Sequence, residues 1–218
     1  MSIVTKATKT DKGIIVHDLD SKETRSYVAV RGAISWPLIS ENLPAYFCMY
    51  GEEYIRFEDK RGRLRFLCEH EALDMSLTTF FTKLTDAVFL YGCTTFYVII
   101  KISHREDYGG YTEALQKFIY EKQANVQLEE APWHERPDLG IHHIREWKDK
   151  GLLEIPEDSL IRAQLQDLQK DKVKAIPETL NAVNALRFVV CGFEKDKPPN
   201  PNKKNWRKGM KEGSWRSL

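Results

Sequence analysis

Long apolar runs are missing from this 218-residue sequence. Even its longer ones, such as Phe96-Tyr97-Val98-Ile99-Ile100, fall far short of the ~20 residues that a bilayer-spanning helix needs. The opening residues Met1-Ser2-Ile3-Val4-Thr5-Lys6 have no apolar core of the kind a secretory signal carries. Paired cysteines are missing too. The four present, Cys48, Cys68, Cys93 and Cys191, are widely spaced with no Cys-x-x-Cys. That predicts reduced core residues of an intracellular protein, not zinc ligands or disulfides. Nor is there a charge excess: the net charge of +1 singles out no class of partner. No repeat, low-complexity segment or Ser/His/Asp or Cys/His arrangement stands out.

What remains is an ordinary globular texture, 42% apolar and 30% charged, in a chain long enough for one good core with terminal extensions. Residues 1–12 are polar and predict a frayed end. Ile14-Ile15-Val16 and Tyr27-Val28-Ala29-Val30 predict a hairpin around a polar loop holding Asp18 and Asp20. A second hairpin joins Tyr46 to Phe57 with Leu64 to Glu71 across Glu58-Asp59-Lys60-Arg61-Gly62-Arg63. Strict alternation in its second strand would put Leu64, Phe66 and Cys68 on one face and Glu69 and Glu71 on the other, with Arg65 and Leu67.

Helical spacing then takes over. Leu77, Phe80, Phe81, Leu84, Ala87, Val88 and Tyr91 share a face, with Ser76 as N-cap and Gly92 as stop. Thr94 to Ile100 reads as a buried strand inside a mixed sheet, expected to pair with the 46–57 strand. Thr112 to Gln123 is a helix, Val126-Gln127-Leu128 a short strand ended by Pro132, and Glu129-Glu130 and Trp133 a loop. Helices follow over Leu139 to Lys150, Ser159 to Gln169 and Pro177 to Cys191. Hairpins followed by alternating helices and strands predict an α/β mixed sheet flanked by helices. Residues 194–218 differ: eight basic residues against three acidic ones leave net +5, and Pro198, Pro199, Pro201 and Gly209 argue against packed structure. Lys203, Lys204, Trp206, Arg207 and Lys208 suit DNA, cations for phosphates and an indole for stacking. The alternative is a solubilising end.

Three stretches carry a resemblance. Phe47-Cys48-Met49-Tyr50-Gly51-Glu52-Glu53, Lys150-Gly151-Leu152-Leu153-Glu154-Ile155-Pro156 within Ile141 to Leu165, and Leu180-Asn181-Ala182-Val183-Asn184-Ala185-Leu186 follow one another as in one family. From Tyr46 to Phe193, about two thirds of the chain, the order resembles the RNase H-like nuclease domain of the viral terminase large subunit. The resemblance implies an RNase H-like domain over 46–193, with 1–45 as an N-terminal β-hairpin extension and 194–218 as a basic tail. It implies a viral DNA-packaging component in the cytoplasm of the infected host cell. Its partners would be double-stranded DNA and a packaging-motor or portal protein, without a membrane or an organic cofactor. No Gly-x-x-x-x-Gly-Lys-Ser/Thr occurs, so the motor ATPase half is expected to be absent.

Such a nuclease needs carboxylates from separate elements around two Mg²⁺ or Mn²⁺ ions about 3.5–4 Å apart. Carried over, Glu52 or Glu53 stands at the first acidic station as catalytic residue and metal ligand. Glu69 and Glu71 are further metal candidates, able to reach Glu52 and Glu53 from a neighbouring strand. The family's aspartate after the central strand is replaced by Ile100-Lys101-Ile102-Ser103, leaving Asp107, or Glu106, as substitute acid from a loop. Asn181 and Asn184 stand where the final helix usually has acids, and an amide brings no charge to offset a dication. Each glutamate also has a plainer reading as an exposed or ion-paired residue. The expectation is therefore a packaging component weak or inactive as a nuclease. The alternatives are an active metal-dependent DNA endonuclease and a non-enzymatic scaffold.

Overall fold

Period-two alternation in the first third of the chain produces strands that pair each with the next. They are β1 (Thr5–Thr10), β2 (Gly13–Asp18), β3 (Thr24–Ser35), β4 (Tyr46–Glu53) and β5 (Leu64–Glu71). Helix and strand then alternate as α1 (Leu77–Tyr91), β6 (Thr95–Val98), α2 (Asp107–Glu121) and β7 (Gln127–Glu130). Three helices close the chain: α3 (Pro137–Asp149), α4 (Leu160–Lys170) and α5 (Asn181–Lys195). The computed structural model describes residues 5–10, 13–18, 23–36, 44–53, 62–73, 76–99, 107–132, 137–170 and 180–195. The tail residues Lys203, Lys204, Trp206, Arg207 and Lys208, and the segment with Lys101 and Glu106, lie outside them. Among the described residues no helix is long and apolar enough to cross a membrane.

β3 organises the sheet. One of its edges pairs antiparallel with β4, while the other is shared by β2, antiparallel to the first half, and β6, parallel to the second. β7 runs parallel to β6. The central order is thus β5-β4-β3-β6-β7, three antiparallel strands followed by two parallel ones. That is the mixed α/β arrangement of the RNase H-like fold, as expected.

Five local expectations are corrected. The 94–100 run is interior, but its partners are β3 and β7 and not the 46–57 strand. Residues 5–10 are not frayed: they pair with β2, and Ala7 packs into the core beside α1. Glu129 and Glu130 end β7 instead of sitting in a loop, and Asp107 opens α2 instead of a loop. Finally, β5 does not alternate strictly. Met49 lies opposite Cys68 but Tyr50 opposite Phe66, so Leu67 is an extra residue. This bulge turns Leu67 and Cys68 together toward one core and moves Glu69 and Glu71 to the face of Leu64 and Phe66.

The sheet separates two cores. One packs α1 and α2 against Val30, Ile34, Phe47, Met49 and Phe96. α1 starts at Ser76, whose side chain accepts the Thr79 N–H, and stops at Gly92 with φ 66°, as the sequence predicted. The other core buries α5 against Ala33, Tyr46, Cys48, Tyr50 and Tyr97, with α3 and α4 behind it. Every residue of α5 from Asn181 to Phe193 is buried. The helix is buried on all sides, so its polar stripe Asn181, Asn184, Arg187 must find its partners within the core.

Candidate functional site

Cross-strand pairing builds the α5-facing side of the sheet in rows. Ser35, Tyr46 and Glu71 lie side by side, and in the next row Tyr97, Ala33, Cys48 and Glu69. Below them Thr95, Arg31, Tyr50 and Phe66 align. The amino ends of α5 and α4 close over the first two rows. Here Asn181, 2% exposed, donates from Nδ2 to Pro44 O and to Glu71 Oε1, both at 3.1 Å. Its Oδ1 accepts from Gln164 Nε2 and from the Ala182 N–H, both at 2.8 Å. Two donors and two lone pairs are all an amide has, so Asn181 is saturated. Gln164 Oε1 in turn accepts the Ala182 N–H, satisfying an orphan donor of the helix start.

Glu69 is committed as well. Its Oε2 accepts from the Tyr46 hydroxyl at 2.5 Å and its Oε1 from the Leu160 N–H at 2.9 Å. A carboxylate at the amino end of α4 meets the positive end of the helix dipole. Ser159 completes that cap by accepting the Arg162 N–H. Burial, with Cys48 and Glu69 adding to it, pushes the Tyr46 phenol well above its ordinary range, which keeps it a donor. Arg31 sits under the far end of α5, donating to Tyr97 Oη at 2.8 Å and Gly192 O at 3.1 Å, over the Phe193 ring. Neither central strand, β3 nor β6, contains an acidic residue. The charge they bring beneath α5 is positive.

The glutamates proposed from the sequence fall into two places. Glu69 and Glu71 join the α5 cluster. Glu52 and Glu53 lie at the other end of the β4–β5 hairpin: Glu52 faces Leu64 while Tyr46 faces Glu71. Six residues of strand separate the ends, roughly 20 Å at ~3.4 Å each, so the second pair does not reach the first. Glu52 and Glu53, adjacent on β4, point to opposite faces. Arg65 Nε binds Glu53 Oε1 at 2.7 Å, with Arg65 Nη1 3.5 Å from Glu154 Oε2. The Asp107 side chain lies outside the described residues.

Two divalent ions need several carboxylates with free lone pairs on one point. Among the described residues no group of three His, Cys, Asp or Glu forms such a point. The donors at α5 are a saturated amide, Glu69 bonded at both oxygens and Glu71 bonded at Oε1, and they do not fit the metal pair. The thiols are unsuited to nucleophilic work, because burial raises all four, Cys93 and Cys191 to about 12. Sequence reasoning missed Gln164, Tyr46 and Arg31. Nothing local marks them, since Gln164 meets Asn181 from 17 residues away and Tyr46 meets Glu69 from 23.

Strand order and the buried closing helix define an RNase H-like α/β fold. Among solved structures the chain is similar to a Thermus thermophilus RuvC structure, at 12% identity over 76% of this chain and 95% of that one, with TM-score 0.44. It is also similar to the large terminase nuclease from thermophilic phage G20c with bound zinc, at 11% identity over 84% and 91%, with TM-score 0.44. No family model and no curated protein matches the chain.

Proposed function

We propose that this protein is a viral DNA-packaging component that uses a nuclease-like fold to engage DNA and a packaging-motor or portal protein, without cutting, in the infected cell's cytoplasm. The observation that carries this reading is the saturated Asn181, bonded to Pro44, Glu71, Gln164 and Ala182 where the resembling family writes an acid. An amide with every donor and lone pair used offers nothing to a metal. The competing reading is a Mg²⁺- or Mn²⁺-dependent endonuclease using Glu52, Glu53 and Asp107. It has less support, because Glu53 is paired with Arg65.

Plasmid nicking in Mg²⁺ and in Mn²⁺ is the direct test. The expected result is no cleavage above the protein-free control. Cleavage that disappears in both Glu52→Gln and Glu53→Gln would establish the endonuclease instead.

In this reading the tail supplies DNA contacts through Lys203, Lys204, Arg207 and Lys208, with Trp206 for stacking. Truncation is best made after Lys195, because Glu194 accepts the Trp147 indole N–H at 2.6 Å and belongs to the fold. Loss of four phosphate contacts should weaken duplex binding and flatten its log–log salt slope by about 3.6, at ~0.9 per contact. The melting temperature should stay nearly unchanged. An unaltered salt slope would leave the tail as a solubilising end or a protein-docking segment.

A further inference from the structure

At the amino ends of β6 and β7, away from the α5 cluster, a groove of about 630 Å³ opens between β1, α2 and these strands. Small-ligand sites span roughly 300–1,000 Å³. Its apolar side is Ile119, Val126 and Leu128, and its polar heads include Lys9, Gln116, Asn125 and Gln127. Among the described residues these four heads are tied up in no side-chain hydrogen bond. No carboxylate lines the groove.

This set has a specific chemistry. A carboxamide presents a donor and an acceptor side by side, which matches the paired acceptor and donor on a nucleobase edge. Three carboxamides border a small apolar floor, formed by the half-buried Val126 and Leu128 and the edge of the buried Ile119. Lys9 adds a single cation, and the absence of lining carboxylates leaves it free to attract an anion. An apolar ring face, a hydrogen-bonding edge and one nearby negative charge together describe a nucleotide.

We infer that this groove binds a nucleotide, with the base against Ile119, Val126 and Leu128, its edge on the carboxamides and its phosphate at Lys9. The ligand is either a free mononucleotide or one unit of a single strand. This site is separate from the α5 cluster and stands whether or not the protein cuts DNA.

The test is a titration of the ¹⁵N-labelled full chain with deoxyadenosine monophosphate, deoxyadenosine and a short oligodeoxyadenylate. The amide signals of Thr94, Thr95 and residues 125–128 should shift saturably. Lys9→Ala should weaken the monophosphate about tenfold, as for one lost charge-assisted hydrogen bond, and leave the nucleoside unchanged. Asn125→Ala with Gln127→Ala should weaken both. All three positions are exposed, so these variants keep the fold. An oligonucleotide binding at least about tenfold tighter than the monomer, through the same signals, identifies a strand site. Equal affinities identify a free-nucleotide site. Absence of saturable shifts with every ligand, or identical affinities in the double variant, overturns the proposal.

Discussion

Asn181→Asp is expected to lower stability by about 3 kcal/mol, and millimolar Mg²⁺ or Mn²⁺ should return part of the loss. The wild-type amide gives hydrogens to Pro44 O and Glu71 Oε1. An aspartate gives none, so it strands a backbone acceptor and sets a second carboxylate about 3 Å from the first. Each unsatisfied buried group costs about 1–3 kcal/mol. In a chain of this length about 3 kcal/mol is roughly 6–12 °C of melting temperature. Two carboxylate oxygens at that separation can share one hard cation, and binding to the folded state alone raises stability with metal concentration. Thermal melts of wild type and variant, with EDTA and with each metal, provide the check. A variant as stable as wild type would mean the hydrogen bonds of Asn181 contribute little. A destabilised variant indifferent to metal would mean that this helix start is no remnant of a metal site.

Gly192→Ala should cost about 2–3 kcal/mol, against the usual helix preference for alanine. A Cβ at Gly192 would lie 2.0 Å from Tyr97 Cε2 and 2.3 Å from its Cζ. Tyr97 has nowhere to go: it is 1% exposed, and its hydroxyl is bonded to Arg31, which also donates to Gly192 O. Overpacking of this kind costs about 1–3 kcal/mol or more, while alanine returns only ~0.5–1 kcal/mol of helix propensity. Gly110 in α2 is the internal control, since nothing lies within 4 Å of a Cβ there. Gly110→Ala should stabilise by about 0.5–1 kcal/mol. Denaturant midpoints for both variants test the pair. Stabilisation by Gly192→Ala would show that α5 does not sit this close to β6.

Elements with local causes could be read from the residues alone. The 3.6-residue spacing of Leu77 to Tyr91, the Ser76 cap and the left-handed stop at Gly92 specify α1 without help from the rest of the chain. The β-branched and aromatic run at Thr95–Val98 announces an interior strand, and the order of elements announces an RNase H-like sheet. Asn181 and Asn184 were also legible as amides where the resembling family writes acids, because residue type needs no geometry.

The strand pairings were settled by folding, not by any single run of residues. β6 found β3 because β3 is long enough, at twelve residues, to hold β2 along one half and β6 along the other. Its own run does not encode that partner. One unmatched residue, Leu67, reversed the faces of Glu69 and Glu71, since a period of two is reset by any single insertion and register belongs to both strands together. The partners of Asn181 come from 17, 110 and 137 residues away. Sequence can name a residue that lacks a charge. Whether its hydrogen bonds are already spent depends on chain segments that meet only when the two cores close on the sheet.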